Sequence, residues 1–189
     1  MKYKEVEFKY RANDITLQKF NEFCSGKPYK KFVLASGWDN FYSNSKDTNG
    51  FYRHRTGPDM NQLTYKCKKN DTNNVIRDEQ NVDLERRVNS SDIEAFLARL
   101  KYKYNTSVFK TCFVYSYDTY TLVFYVVWDT NMHELDRFIE IEMSEEHSWA
   151  SEQEAYSELV IIEKLCKDLG INPKTRVKKS LFELFAKEK

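Results

Sequence analysis

Glu5 and Glu7 alternate with Val6 and Phe8 and are followed by Lys9, and Glu140 and Glu142 alternate in the same way with Ile139 and Ile141. Arg53 and Arg55, and then Lys66 and Lys68, repeat that spacing with basic residues. In a strand, positions i and i+2 face the same way, so each pair projects from one side while its neighbours take the other. Clustered carboxylates repel one another unless a cation joins them. Their hard oxygens suit Mg2+ or Mn2+, ions that also bridge phosphate oxygens. Arg and Lys facing such a cluster neutralise a highly charged anion, and Arg grips it bidentately. A polyphosphate carrying its divalent metal satisfies both sets at once. Asp129, at the end of an otherwise apolar segment, and Lys110, at the start of another, extend the two sets.

The elements that position these residues follow from periodicity. Segments with period-two alternation run over 4–11, 32–34, 40–43, 51–55, 63–68, 75–82, 108–115, 121–129 and 137–143, and each reads as a half-buried strand. Helical spacing appears between them. Asp14 is placed to cap a helix carrying Leu17, Phe20 and Cys24, and Ser91-Asp92-Ile93-Glu94 to cap one carrying Phe96, Leu97 and Leu100. Ser151-Glu152-Gln153-Glu154 precedes Leu159, Ile162, Cys166 and Leu169, with Gly170 as a stop, and a short last helix spans 180–187. Strands with helices set apart predict an α+β fold, a large antiparallel sheet with helices on its outside. Alternation by itself leaves two arrangements open: the charged face meets water, as strands ordinarily do, or it curls inward to line a cavity while helices cover the apolar face.

The 189 residues suit one domain, 1–189, since 5 Gly and 3 Pro supply no linker. Lys and Arg (30) nearly balance Asp and Glu (29), a formal net charge of +1, which argues against a dedicated nucleic-acid binder. Cys24, Cys67, Cys112 and Cys166 are far apart with no zinc-ligand spacing and read as reduced structural residues. The charged start of the chain does not read as a secretory leader, and the longest apolar stretch, 122–128, is far too short to span a membrane, so a soluble cytoplasmic protein is expected. His54, His133 and His147 are scattered, and His54 faces away from Arg53 and Arg55. Trp38, Trp128 and Trp149 read as packing residues.

Taken in order, these motifs resemble the CYTH superfamily, the triphosphate tunnel metalloenzymes. Glu5-Val6-Glu7-Phe8-Lys9 is similar to the family's opening signature. Asp39-Asn40-Phe41-Tyr42, Tyr52-Arg53-His54-Arg55, Leu63-Thr64-Tyr65-Lys66 and Arg77-Asp78-Glu79 resemble the strands that follow, and Asp129 with Glu140 and Glu142 the late acidic strands. Lys179-Ser180-Leu181-Phe182 resembles the C-terminal lysine motif. The chain departs from the pattern at Asn81, where an acid is common, at Cys112, where Lys-x-Arg usually has its arginine, and at Glu134-Leu135-Asp136-Arg137, which lacks the usual glycine.

The resemblance implies a tunnel or barrel of about eight antiparallel strands with helices outside. It implies Glu5, Glu7, Asp129, Glu140 and Glu142 as holders of one or two Mg2+ or Mn2+ ions. Arg53, Arg55, Lys66, Lys68, Lys110 and Lys179 are implied as phosphate contacts, and Glu79 as a further wall residue. Lys9 either contacts phosphate or balances the neighbouring glutamates. The implied activity is metal-dependent hydrolysis of inorganic triphosphate, thiamine triphosphate or a nucleoside triphosphate. The alternatives are a class IV adenylate cyclase forming cyclic AMP and pyrophosphate, and a non-catalytic binder of a phosphorylated ligand or nucleotide. A 5′-triphosphate RNA is a less favoured substrate, and the expected assembly is a monomer or homodimer.

Overall fold

The computed structural model describes residues 2–67, 76–143 and 152–186. Its strands are β1 (Lys2–Arg11), β2 (Lys31–Asn44), β3 (Asp47–Gly57), β4 (Met60–Cys67), β5 (Ile76–Asp83), β6 (Lys103–Ser116), β7 (Tyr120–Trp128) and β8 (Glu134–Met143). They pair antiparallel in the order β1-β5-β4-β3-β2-β6-β7-β8 and close into a barrel. Closure falls within β1: Lys2–Val6 pair with β5, and Glu7–Arg11 pair with β8. The helices α1 (Leu17–Ser25), α2 (Ser90–Arg99), α3 (Glu152–Leu169) and α4 (Leu181–Phe185) fill the gaps, with a 3-10 turn at Pro173–Thr175.

Three local expectations change. The segments 32–34 and 40–43 are one strand, β2, which pairs with β6 along its length and with β3 only from Trp38 onward. Gly37 and Gly57 sit where β2 and β3 approach most closely, and a Cβ at either would strike the other strand's backbone. Helix α1 is capped by Thr16, whose hydroxyl accepts from the Lys19 N–H, and not by Asp14. Helix α2 is capped by Asn89 in a capping box with Asp92, two residues earlier than Ser91 would place it, and it buries Ile93 and Leu97 while Phe96 and Leu100 stay exposed. Gly170 does end α3, with φ at 76°. The Ser151 box and Lys68 lie outside the described residues.

The barrel wall is packed on both faces over much of its extent, although Phe32 and Leu34 on the outer side of β2 are exposed. Outward residues of β1, β7 and β8 (Val6, Phe8, Tyr10, Leu122, Phe124, Ile139, Ile141) form one core with Phe20 and Cys24 of α1 and Ile162, Cys166 and Leu169 of α3. Outward Tyr42, Tyr52, Leu63 and Tyr65 form a second with Ile93 and Leu97 of α2. His54 belongs to that outer side. It is fully buried, its Nε2 lies 2.8 Å from Asn61 Oδ1, and Asn61 donates to the carbonyls of Glu85 and Val88.

The third core lies inside the barrel. Phe41, Phe51, Val108, Val123, Tyr125, Val127 and Phe138 point inward, and Leu181 and Phe182 of α4 pack among them. The Phe182 ring is 4.8 Å from that of Phe51 and 5.9 Å from that of Phe41. Helix α4 thus closes one end of the barrel. The Ser180–Glu183 capping box starts it at this point, and the preceding segment is tied to β1 by the Val177 N–H donating to the Lys9 carbonyl. Among the described residues, no helix is long and apolar enough to cross a membrane.

Candidate functional site inside the barrel

Strand alternation puts Glu7, Lys9, Asp39, Arg53, Arg55, Thr64, Lys66, Glu79, Lys110, Tyr125, Glu140 and Glu142 on the inner wall. The pairing registers, compounded around the staggered strands, bring Glu7, Glu140, Tyr125, Lys110, Asp39, Arg53 and Lys66 to about one level. The next level, toward α4, is the apolar one of Phe138, Val127, Val108, Phe41 and Phe51, with Lys9 among them. Strands β1 and β8, which carry the glutamates, stand across the barrel from β2 and β3, which carry Asp39, Arg53 and Arg55.

On the acidic side, Glu7 and Glu142 are direct cross-strand partners, and so are Lys9 and Glu140. The Lys9 ammonium lies 3.2 Å from Glu140 Oε1 and 3.6 Å from Glu7 Oε1, so its geometry is that of a counter-charge between two acids. The buried Tyr125 hydroxyl donates to Glu140 Oε1 at 2.7 Å. Burial alone would raise the Glu140 pKa, but Lys9, Lys110 and the Tyr125 hydrogen bond bring it down to about 2. Burial and the carboxylates of Glu140 and Glu7 push the Tyr125 phenol well above its usual range, so it remains a donor.

On the basic side, the cations differ in what already holds them. Arg55 is gripped by Asp39 through two hydrogen bonds, Nε to Oδ1 at 2.6 Å and Nη2 to Oδ2 at 2.7 Å. Burial opposes charge on Asp39, yet Arg55, Arg53 and Lys110 hold its carboxyl well below the usual range. Lys66 is ion-paired with Glu79, which is 1% exposed. Arg53 donates one Nη2 bond to Thr64 Oγ1 at 3.1 Å, and its buried Nε has no acceptor among the described residues. The Lys110 ammonium sits 4.0 Å from the centroid of the Tyr125 ring, with no hydrogen bond or ion pair among the described residues. A buried guanidinium N–H without a protein acceptor is costly by itself and well placed to donate to an anion.

Other residues singled out from the sequence lie elsewhere. Asp129 falls just past the end of β7, beyond the apolar level, where its Oδ1 accepts from the Asn131 and His133 N–H groups at 2.8 Å each. Those backbone bonds lower its pKa, and the carboxylate is committed to the turn. Lys179 is exposed just before α4. Glu5 is in β1 opposite Arg77, and its side chain lies outside the described residues. Cys112 is on the inner wall, where burial raises its thiol pKa although Lys110 and Arg55 pull the other way. Asp39, Thr64 and Tyr125 belong to the wall and were not singled out as site residues. The parity that pairs Asp39 with Phe41, and Tyr125 with Val123 and Val127, placed them among apolar neighbours.

The carboxylates of Glu7, Glu140 and Glu142 are hard donors on adjacent strands and fit Mg2+ or Mn2+ in kind. Among the described residues no three acidic, histidine or cysteine groups converge at metal-ligand distance, because Lys9 stands between Glu7 and Glu140.

No family model and no curated protein matches the sequence. Solved structures match over most of its length. The chain is similar to the PH1012 protein of Pyrococcus horikoshii OT3, with a TM-score of 0.75 and 21% identity over 95% of this chain and 98% of that one. It is similar to a protein of Vibrio parahaemolyticus provisionally named an adenylate cyclase, at TM-score 0.71 and 13% identity over 96% and 97% of the two chains. It is also similar to the Mimivirus capping-enzyme triphosphatase, at TM-score 0.51 and 11% identity over 85% and 89%. At these identities the likeness is one of fold.

Proposed function

We propose, for a chain that has the triphosphate tunnel fold of the CYTH superfamily, divalent-metal-dependent hydrolysis of a triphosphate-bearing substrate inside the barrel. The observation that carries this reading is the division of one buried level. Carboxylates on β1 and β8 face, across the barrel, β2 and β3, where, among the described residues, Arg53 Nε has no acceptor, and Lys110 on β6 makes no ion pair among them.

In this reading Arg53 and Lys110 bind phosphate oxygens directly. Arg55 and Lys66, already paired with Asp39 and Glu79, supply positive potential and hold the wall in place. Glu7, Glu140 and Glu142, with Glu5, are the residues that would hold the divalent ion. That ion would neutralise phosphate oxygens and lower the pKa of a bound water. Lys9, which lies between Glu7 and Glu140, would balance these acids or turn its ammonium to phosphate. Tyr125 fixes one oxygen of Glu140 and so its orientation. Helix α4 excludes water from one end.

The test is product analysis. The protein is incubated with Mg2+ or Mn2+ and, separately, tripolyphosphate, thiamine triphosphate, ATP, GTP and 5′-triphosphate RNA. Metal-dependent release of orthophosphate is expected. Cyclic AMP with pyrophosphate would replace hydrolysis by cyclisation, and tight binding without product would make the protein a binder.

A further inference from the structure

Strand β2 outruns one of its neighbours. It pairs with β6 from Lys31 onward, but β3 meets it only from Trp38 onward, because β3 ends at Gly57, beside Gly37. Among the described residues, no strand pairs with the other side of Lys31–Ala35, so this stretch is an open sheet edge. It lies at the end of the barrel away from α4, since Phe41 of the same strand packs on α4. Its outward side chains are apolar and uncovered: Leu34 is 61% exposed and Phe32 42%. Ser36 shows where the backbone groups point. A Cβ on Gly57 would come within 2.5 Å of the Ser36 carbonyl oxygen, so that carbonyl faces away from β6. Backbone groups alternate sides along a strand, so those of Leu34 and Phe32 also face the open side. Such an edge is a template for another strand unless charge, proline or a bulge blocks it. Phe32 to Ala35 contain none of these.

We propose that this edge binds a second copy of the chain, β2 pairing antiparallel with β2 about a two-fold axis at Val33. A two-fold contact must set residue i on j and j on i. The free stretch, Lys31 to Ala35 with Val33 at its centre, meets that condition. Phe32 lies opposite the partner's Leu34, and Leu34 opposite the partner's Phe32, all on the outer face. Their backbone groups already point outward, so each of these pairs exchanges two N–H to O=C bonds. On the inner face Val33 meets the partner's Val33, and Lys31 meets the partner's Ala35, so no cation is set against a cation. Other registers fit less well. A slip of one residue sets outer side chains against inner ones. A slip of two either brings the partner against the turn after Gly57 or sets Leu34 opposite Lys30, which pairs with Asp118. The edge is thus its own complement, which favours a second copy over an unrelated strand. Five paired residues bury little area, so the association is weak and concentration-dependent. It stands independently of the functional reading above.

Sedimentation velocity on the whole chain tests the association. Between about 1 and about 300 µM, the range of a small transient interface, the mass should shift from one chain toward two. Leu34→Lys, at an exposed position, should keep its thermal midpoint and remain a single chain throughout. Cysteine cross-linking tests the register. A pair without hydrogen bonds brings its Cα atoms to about 4.5 Å, within disulfide reach, so mild oxidation of Val33→Cys should link two copies. Lys31→Cys alone should not link, because its two positions lie roughly 13 Å apart along the paired strands. A mixture of Lys31→Cys and Ala35→Cys should link, and it carries the same test should Val33→Cys not fold. Wild type oxidised in the same way controls for Cys24, Cys67, Cys112 and Cys166. Three results would each overturn the proposal: a wild type of single-chain mass at every concentration, a dimer that survives Leu34→Lys, or folded variants that link no more than wild type at the matched positions.

Discussion

Strand β7 supplies two cores from alternate residues. Leu122 and Phe124 point outward beneath α1 and α3, and Val123, Tyr125 and Val127 point inward toward α4. The described outer core is built of aliphatic and aromatic side chains, several of them tyrosines, with the thiols of Cys24 and Cys166. Its nearest polar elaboration, Tyr117 donating to the Cys24 carbonyl at 2.9 Å, is satisfied. The inner core shares its volume with a level of buried ions, one of which, among the described residues, keeps an N–H without an acceptor. The difference separates two roles by parity along a single strand: outward positions hold the barrel together, and inward ones hold a ligand while one short helix seals them from below.

The largest effects should come from breaking the inner level. Glu140→Gln, which keeps side-chain volume, and Glu7→Ala should abolish metal-dependent turnover while circular dichroism remains that of the folded protein. Full activity in either folded variant would end the metal assignment. Arg53→Ala should lower kcat about a hundredfold, the usual cost of removing a donor to developing charge, with a near-native melting curve. An effect confined to KM would make Arg53 a binding group only.

Next come the two cores themselves. Phe124→Ala and Phe182→Ala should each destabilise by about 3 kcal/mol in urea titrations. Only Phe182→Ala should also change kcat of the folded fraction, because it opens the barrel end. Equal kinetics in both would break the comparison. Asn61→Ala should cost about 1–2 kcal/mol by leaving the Glu85 and Val88 carbonyls unmatched on the outer side, with turnover intact.

The smallest effect is in pH. The Glu140 pKa is depressed from the ordinary 4.5 to about 2 in the folded state. A depressed carboxyl contributes stability that is present above its unfolded value and lost as pH falls through its folded one. Urea midpoints should therefore decline between about pH 4.5 and 2, and Glu140→Gln should flatten that decline.

The alternation of Glu5, Glu7 and Lys9, of Arg53 and Arg55, and of Glu140 and Glu142 was sufficient to define two faces on each strand and the chemistry of one of them. Helical spacing was sufficient to find α1, α2, α3 and α4, and the order of the motifs to indicate the tunnel fold. These are local properties, set by the two-residue repeat of a strand and the capping chemistry of a helix. Which side of the wall became the interior was decided by closure between β1 and β8, which no local pattern encodes. Stagger around the barrel then decided which side chains share a level. It placed Tyr125 and Asp39 among the ions, left Asp129 in a turn beyond the apolar level, and brought Leu181 and Phe182 from the far end of the sequence to close the cup. Strand pairing between residues distant in sequence made those choices, because cross-strand register, unlike alternation, exists only when two strands have met.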